Sequence, residues 1–297
     1  MGFDFLKYNK IYLIFSGFLI LISFIFLIFF GLNFGIDFTG GSILEIEYKN
    51  ERPSNQVIRE SLIGLDLGEF IIQPTNERGV ILRMKEISPE IHQQIIQKLK
   101  EKGDLEEQRF ESIGPVIGRE LRERIKLVTF ISLLVILFYI TLAFRKISKP
   151  IASWQYGISS IICLFHDVLI PLGIFSILGN YYHIQITIPV VIAFLIVIGY
   201  SINNTVVVFD RIRENILKRT GQTYEETVNL SLNQTLSRCL HTSLTTLFVL
   251  IAIFFFGGET LKYFALALIL GIIAGTYSSL FLASPILVFW LKWKKNV

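Results

Sequence analysis

The sequence predicts an α-helical polytopic membrane protein with six transmembrane helices and one α+β domain outside the membrane. Two observations carry this prediction. Of the 297 residues, 52% are hydrophobic, whereas an ordinary soluble domain is about 45–50% apolar with glycine included. In addition, six long apolar runs alternate with polar segments, and the longest polar segment is 32–126. The chain therefore lies largely in lipid and carries one sizeable domain in water.

Each apolar run is long enough to cross the hydrocarbon core, which takes about 17–25 helical residues. The runs comprise residues 11–31, 127–144, 151–178, 186–209, 240–256 and 263–291. The first run follows a short lead, 1–10, and exceeds the apolar core of about 7–15 residues that a secretory signal has. We therefore expect it to be a retained transmembrane helix. The third and sixth runs are long, so we expect them to tilt or to be trimmed at their ends.

The lysines and arginines predict the orientation. Fourteen of the 28 lie in 32–126, a long segment whose charges say little about orientation. Thirteen of the other 14 fall near both termini, after the second run and after the fourth, all on one side of a six-span protein. We therefore expect residues 1–10 and 292–297 and a loop near 210–238 to be cytoplasmic. Segment 32–126 is then extracytoplasmic, which in a bacterium is periplasmic.

The polar segment has a regular order of predicted elements. Alternating apolar residues predict a strand at 42–48, a hairpin at 70–84 and a strand at 105–113. Apolar helical faces predict helices at 54–65 and 90–102. The order β-α-β-β-α-β is typical of a ferredoxin-like sandwich. Carboxylates are interspersed with lysines and arginines here, which favours a binding surface over a catalytic one.

Two glycine-bearing segments flank this domain and are candidate stalks. Glycine permits backbone geometry closed to other residues, so each stalk is either a tight exit turn or a hinge. We expect regular structure to be interrupted at the second stalk before a helix starts near residue 119. The candidate hinge residues are Phe34, Gly35, Asp37, Gly40, Gly41, Gly114, Pro115 and Gly118.

Polar side chains within the apolar runs are the candidate functional site. Asp167, beside His166, is the only carboxylate deep in a run. A carboxylate there must be protonated, paired or hydrated. It serves either an ion or proton pathway, or it is a buried hydrogen-bond partner for Tyr200, Asn203 or a serine or threonine of the next helix.

Segment 198–215 is the other candidate, because it carries Tyr200, Asn203 and Asn204 inside the fourth run. These side chains either join helices by hydrogen bonds or line a pathway. Arg238 near the cytoplasmic boundary either lines that pathway or extends to lipid headgroups. A charged cytoplasmic-end motif follows the fourth run and comprises Asp210, Arg211, Arg213 and Glu214.

These motifs resemble the SecF family of the bacterial SecD–SecF protein-export complex, and the resemblance runs from the first span to the sixth. The family pattern is carried by FGIDFTGG at 34–41, GPVIG at 114–118 and the pair His166-Asp167. It continues with VVVFDRIREN ending the segment 198–215, with Arg238 followed by HTSLTT, and with GGE at 257–259. One such motif is weak, but their order on a six-span frame is specific.

The resemblance implies one half of a resistance–nodulation–division transporter architecture, with SecD supplying the other half. It implies a location in the bacterial inner membrane and outer domains that are driven by proton flow and pull the emerging chain outward. The implied partners are SecD, the SecYEG channel, YajC or YidC, unfolded preprotein and membrane lipid, without nucleic acid. We expect no enzymatic activity, no cofactor and no metal. The family's proton-transfer positions match Asn204 and Arg238.

The sequence departs from the family at Asn204. SecF proteins commonly read SLNDTVVVFDR, whereas this chain reads SINNTVVVFDR. An amide cannot ionise in the physiological range, so Asn204 cannot carry the proton. A carboxylate of the partner or Asp167 carries it instead, or another ion is used, or substrate is held and shielded without the gradient. The alternative function is a passive scaffold that stabilises SecD and the channel. Half of a small-molecule exporter is less favoured, since the outer domain is small.

Overall fold

The computed structural model describes residues 3–75, 77–144 and 150–295. The helices in this part of the chain are α1 Asn9–Phe30, α2 Ile36–Thr39, α3 Asn55–Ser61, α4 Pro89–Lys100, α5 Pro115–Ala143, α6 Ser153–Tyr182, α7 Ile188–Lys218, α8 Tyr224–Phe256, α9 Glu259–Phe281 and α10 Ala283–Lys295. The strands are β1 Gly41–Tyr48, β2 Ile71–Pro74, β3 Gly79–Met84 and β4 Leu105–Ile113.

The chain divides into two compact units. The helical unit comprises Met1–Asn33 and Val128–Val297, and the sheet unit comprises Phe34–Leu127. Among the described residues, six helical segments are long and apolar enough to cross a membrane. They are Asn9–Phe30, Pro115–Ala143, Ser153–Tyr182, Ile188–Lys218, Tyr224–Phe256 and Leu261–Trp293. The protein is therefore mostly helical, with a small antiparallel sheet.

In the helical unit, α6, α7 and α9 bury much of their surface, whereas α1, α5 and α8 are mostly exposed. Glycines allow the inner helices to approach their neighbours. A Cβ at Gly173 of α6 would lie 2.6 Å from the Cβ of Ser23 on α1. A Cβ at Gly157 of α6 would lie 2.9 Å from the hydroxyl of Thr141 on α5. Close approach at small residues is the usual way in which helices pack in lipid.

The second transmembrane helix begins earlier than predicted. Pro115 is the first residue of α5, where its fixed φ suits a helix start, and Gly118 lies within the helix. The expected interruption of regular structure at these two residues is therefore wrong. The charged stretch that follows supports a helix, because Arg124 contacts Glu120 one turn earlier, with 2.6 Å between nitrogen and oxygen.

The predicted loop near 210–238 is largely helical. Helix α7 continues to Lys218, whose ammonium lies 2.6 Å from the carboxylate of Glu214 one turn earlier. Thr223 then caps α8 by accepting a hydrogen bond from a backbone amide of the first turn. Only residues 219–223 connect the two helices. The predicted connecting loop therefore consists mainly of the ends of two helices, whose charges pair at helical spacing.

The sixth transmembrane segment is broken between α9 and α10. Leu282 has φ −121° and ψ −51°, outside helical geometry. Pro285 lies four residues after Phe281 and has no N–H to donate to its carbonyl, which weakens the helix at this point. The backbone N–H of Leu282 still donates to Ser278 at 2.9 Å, and that of Ile286 donates to Leu282 at 3.1 Å, so the two helices together form one candidate span, Leu261–Trp293.

The sheet unit contains a four-stranded antiparallel sheet with the order β2-β3-β1-β4. Its elements follow the predicted order β-α-β-β-α-β. Leu44 and Ile46 of β1 and Leu82 of β3 share one buried cluster with Ile58 of α3 and Ile95 of α4. Both helices therefore cover the same face of the sheet. Helix α3 ends at Ser61, earlier than the predicted end at residue 65.

Candidate functional site

The carboxylate of Asp167 on α6 is fully buried in the helical unit. Its Oδ2 atom accepts a hydrogen bond from the hydroxyl of Ser201 on α7 and another, at 2.7 Å, from the hydroxyl of Ser278 on α9. Three helices thus meet at one carboxyl group. Of the alternatives derived from the sequence, the serine of the next helix is the partner that the structure places beside Asp167.

His166 supplies the third polar neighbour of Asp167. Its Nδ1 atom lies 2.8 Å from the other carboxylate oxygen, and the imidazole is fully buried. Its Nε2 atom has no hydrogen-bond partner among the described residues. The imidazole lies over the ring of Tyr277, with 5.8 Å between ring centroids. The Tyr277 hydroxyl in turn donates to the backbone oxygen of Tyr12 on α1 at 3.4 Å, so a hydrogen bond to α1 follows the ring contact beside Asp167.

Small side chains bring α7 and α9 together at this level. A Cβ at Gly275 would lie 3.0 Å from the Cβ of Ser201. One turn further along, the hydroxyls of Thr205 and Ser279 are 2.9 Å apart. Small residues allow the backbones to approach, and the hydroxyls then bond between the helices.

Asn204 belongs to a second, separate polar contact. It is buried, and its Nδ2 atom donates to the hydroxyl of Ser243 on α8 at 3.2 Å. Ser243 also accepts, at 2.7 Å, from the hydroxyl of Thr276 on α9. Asn204 lies three positions after Ser201, which corresponds to about 4.5 Å along the helix axis. The two polar contacts are therefore neighbouring layers of the same bundle.

The other two candidates on α7 have different environments. Tyr200 donates through its hydroxyl to the backbone oxygen of Thr242 at 2.9 Å and lies 3.2 Å from the hydroxyl of Thr246, both on α8. Asn203 is exposed on the surface of the helical unit. Tyr200 therefore joins two helices, whereas Asn203 faces lipid or a partner.

Arg238 lies away from Asp167 and Asn204. It borders a cavity of about 360 Å³ at the end of the bundle, together with the charged motif at the end of α7. Within that motif Arg211 lies 2.8 Å from Glu214. The Asn204 amide contacts Ser243, which lies five residues, or about 7.5 Å, further along α8 than Arg238.

The first candidate stalk forms a tight turn in the sheet unit. Gly40 has φ +76° and Gly41 has φ +136°, which side chains other than glycine rarely adopt. A Cβ at Gly40 would lie 2.7 Å from the Cα of Pro115. The short helix α2 precedes this turn and contains Asp37, while Gly35 caps it.

Arg122 of α5, which follows the second stalk segment, contacts the first stalk segment. Arg122 donates to the backbone oxygen of Phe38 at 2.9 Å, and its guanidinium lies 5.5 Å from the ring centroid of Phe34. A Cβ at Gly118 would lie 3.0 Å from the carbonyl carbon of Phe38, whereas one at Gly114 would meet only the Glu86 side chain at 3.5 Å. Close packing favours the tight-turn interpretation of the stalks over the hinge.

Comparison with known proteins places the chain in a family. Residues 92–293 match the family described as "Protein export membrane protein SecD/SecF, C-terminal", and residues 25–51 match "SecD/SecF GG Motif". A protein translocase subunit SecF of Thermobaculum terrenum is 43% identical, over 97% of this chain and 93% of that protein. Another, of Desulfurispirillum indicum, is 41% identical over 88% of this chain and 82% of that protein. The chain belongs to the SecF family.

Two solved SecDF structures resemble this SecF-family chain. The crystal structure of SecDF from Thermus thermophilus, a translocon-associated membrane protein, superposes with a TM-score of 0.86 and is 33% identical. It covers 100% of this chain, which spans 39% of that protein. SecDF in a super-membrane-facing form superposes with a TM-score of 0.72 at 33% identity. This coverage supports SecD as a partner of the chain.

The family assignment gives the setting of the site. As a SecF-family member, the chain is a multi-pass protein of the bacterial inner membrane with an accessory role in the Sec translocase. Of the predicted residues, Asp167 and Asn204 lie in adjacent polar layers of the bundle, whereas Arg238 lies at one end. Sequence reasoning missed Ser278 and Thr276. The signal for Ser278 was the pair Ser278-Ser279 inside the last apolar run.

Proposed function

We propose that this SecF-family chain acts with SecD to move unfolded preproteins across the inner membrane, driven by the proton-motive force. The observation that carries the proposal is the environment of Asp167. Among the described residues it is the only fully buried carboxylate, and its hydrogen-bond donors come from α7 and α9. An ionisable group inside the membrane is a functional candidate by default, because its burial is costly.

The neighbours of Asp167 suit both of its protonation states. When it is ionised, the hydroxyls of Ser201 and Ser278 donate to it, and His166 can donate from Nδ1. When it is protonated, a serine hydroxyl can rotate and accept, because hydroxyls are both donors and acceptors. Each proton taken up thus redistributes hydrogen bonds among three helices. Such a redistribution is a physical route from proton transfer to helix movement.

The replacement of the usual acid by Asn204 gives Asp167 this role in the proposal. The Asn204 amide donates to Ser243 and cannot ionise. Of the three accounts of coupling, the first fits best: Asp167, or a carboxylate of SecD, carries the proton. Use of another ion, and substrate holding without a gradient, rank below it in that order.

Proton flux into vesicles tests this function. The chain and SecD are reconstituted together, a potential is applied, and acidification is recorded with stalled unfolded preprotein and without it. We expect substrate-dependent flux in the wild type, flux at the level of empty vesicles in Asp167→Asn, and unchanged flux in Asp4→Asn, which removes an exposed carboxylate. Equal amounts of assembled complex are confirmed for each variant by size-exclusion chromatography.

The passive scaffold is the second candidate, and the buried contact of Asn204 with Ser243 favours it, because that contact is structural. The variant Asn204→Asp separates the two functions. Flux that is absent in the wild type but present in Asn204→Asp would replace the proton-driven function with the scaffold. Export rates that are equal in wild type and Asp167→Asn would remove Asp167 from the proton path and leave the carboxylate of SecD as the carrier.

The proposed topology has cytoplasmic termini and a periplasmic sheet unit. It is supported by the lysine and arginine distribution, and a ferredoxin-like assignment of the sheet unit is supported by the strand order β2-β3-β1-β4. Single cysteines replacing Asn50 and Gln222, both exposed, test the topology with an impermeant maleimide on intact spheroplasts. We expect labelling at 50 and none at 222. The reverse would invert the topology.

The proposed partners beyond SecD are the SecYEG channel, YajC or YidC, and unfolded preprotein. The sheet unit suits binding to such partners, because its surface carries exposed ion pairs such as Lys49 with Asp104. The Asp104 carboxyl holds the pKa of Lys49 above its ordinary value by a hydrogen bond and by charge. The family supports an accessory role in transport. Crosslinking from position 50 in whole cells would identify which of these partners the sheet unit meets.

A further inference from the structure

The cavity beside Arg238 has one charged wall. This wall is formed by Asp210, Arg211, Arg213 and Glu214 of α7 with Arg238 of α8. Arg211 lies 2.8 Å from Glu214, and Arg213 lies 3.6 Å from Asp210. Arg238 has no ion-pair partner in the part of the chain that the structure describes. The wall therefore presents one uncompensated positive charge.

The rest of the cavity lining is mostly apolar. Its apolar members are Tyr139, Ala143 and Phe144 at the end of α5 and Val206 and Val207 on α7, and its polar members are Gln234 and Thr235 on α8. These residues belong to the apolar parts of two membrane-spanning helices, so the cavity lies where hydrocarbon gives way to charge. Its volume of about 360 Å³ falls in the range of ligand sites, about 300–1,000 Å³.

We propose that this cavity binds the headgroup of an anionic phospholipid of the cytoplasmic leaflet, with Arg238 as its phosphate ligand and the apolar wall against its acyl chain. An amphiphile with a single negative charge matches both walls. Basic pockets between transmembrane helices at the cytoplasmic side are suited to anionic lipid headgroups. The inference rests on the proposed topology and not on proton flux. It gives Arg238 a ligand distinct from the Asp167 and Asn204 layers.

The alternatives fit the cavity less well. A soluble phosphate would use the arginine but not the apolar wall. A zwitterionic phospholipid would bring a second, positive charge next to Arg238. The anionic lipid is therefore the one occupant that uses both the unpaired guanidinium and the hydrocarbon side of the cavity.

Native mass spectrometry of the full-length chain co-purified with SecD tests the site. The chain is titrated with phosphatidylglycerol or with phosphatidylcholine of the same acyl chains. We expect a preference of about five-fold for phosphatidylglycerol, since one basic residue near anionic headgroups contributes about that factor. Arg238→Gln should abolish the preference. The control Arg219→Gln, an exposed arginine at the end of α7 that does not line the cavity, should retain it.

A second variant keeps all charges and fills the cavity instead. Ala143→Leu adds apolar volume to the lining, so we expect weaker binding of phosphatidylglycerol with native stability of the chain. Unchanged preference in Arg238→Gln would overturn the proposal, as would displacement of phosphatidylglycerol by millimolar inorganic phosphate, which identifies a soluble anion site. The binding is measured without a proton gradient. A lost proton flux with retained lipid preference therefore counts against the proton-driven function alone.

Discussion

Asp167 of α6 accepts a 2.7 Å hydrogen bond from the hydroxyl of Ser278 on α9, although the two residues are 111 positions apart in the chain. Ser278 is fully buried and lies in the helix that packs beside α7, from which Ser201 reaches the same carboxylate oxygen. The protonation state of one side chain therefore bears on the contact of three helices. Any helix movement that follows protonation of Asp167 would therefore begin at the contact of α6, α7 and α9.

Replacing Ser278 with alanine should destabilise the helical unit. The change removes one donor from a buried carboxylate, and a hydrogen bond between helices in lipid contributes about 1 kcal/mol. The matched control is Ser284→Ala, because the Ser284 hydroxyl is buried without a partner in the described part of the chain. The free energy of unfolding of the two variants is measured by circular dichroism as a denaturing detergent is added to the full chain. Equal loss in the two variants would mean that the bond to Asp167 contributes nothing to stability.

The secondary structure of the sheet unit could be predicted because each strand and helix has one face in a local core. The strand 105–113 has the predicted bounds, and the predicted helix start at Ser54 is capped, because its hydroxyl accepts from the backbone amide of Val57 at 3.4 Å. The charged segment 210–218 was harder, since it was expected within a connecting loop. Its charges instead pair at helical spacing, and a helix that leaves the membrane can continue in water.

The partners of the site residues could be predicted only in part. Burial of a carboxylate demands donors, and this argument pointed to a serine or threonine on the next helix. It could not select Ser278, because serine is tolerated anywhere in a helix by bonding back to a carbonyl. The separation of Arg238 from Asn204 depends on the register of α8 against α7, and a sequence of long apolar runs does not specify that register.

Replacing Gly271 with alanine should separate α9 from α7. A Cβ at this position would overlap the methyl groups of Val197, and overpacking costs about 1–3 kcal/mol. The control Gly199→Ala lies on α7 with nothing within 4 Å of the added Cβ, so there the lower entropy of the unfolded chain should stabilise slightly. The free energy of unfolding in denaturing detergent distinguishes Gly271→Ala from Gly199→Ala. Comparable stability of the two variants would contradict close packing of α7 on α9.

The phenol of Tyr48 should ionise at a higher pH than an ordinary tyrosine. It is 1% exposed at the end of β1, its hydroxyl has no hydrogen-bond partner among the described residues, and burial raises its pKa to about 12. Because the folded pKa lies above the ordinary value of 10.0, ionisation of this group does not oppose folding below pH 10. Above that pH the unfolded chain ionises first, so stability falls as pH rises toward 12. The difference in absorbance at 295 nm between wild type and Tyr48→Phe should therefore titrate near pH 12.

Removing the Tyr48 hydroxyl should leave the sheet unit at least as stable at pH 7, because a buried hydroxyl without a partner is unfavourable. Hydrogen exchange of β1 in the full chain reports this. Its control is Leu44→Ala, which should loosen the same strand, since Leu44 is fully buried and such truncations cost about 2–5 kcal/mol. A titration near pH 10, or faster exchange in Tyr48→Phe, would show that the hydroxyl is hydrated or bonded.

Gly40 and Gly64 together test whether the first stalk is a tight turn or a hinge. Both have positive φ, +76° and +91°, but a Cβ at Gly40 would lie 2.7 Å from Pro115, whereas Gly64 has nothing within 4 Å. Gly64→Ala should therefore show only the backbone cost, about 1–2 kcal/mol. Gly40→Ala should cost at least about 1 kcal/mol more, because overlap adds to it.

Hydrogen exchange of β1 and of the first turn of α5, measured in the full-length chain, separates these two outcomes. For Gly40→Ala the added loss of 1.4 kcal/mol would correspond to about tenfold faster exchange. Such acceleration, confined to Gly40→Ala, means that the turn at Gly40 is packed against Pro115 in the working protein. Equal exchange in the two variants would mean that the stalk opens readily, and the hinge would then replace the tight turn as the role of Phe34–Gly41.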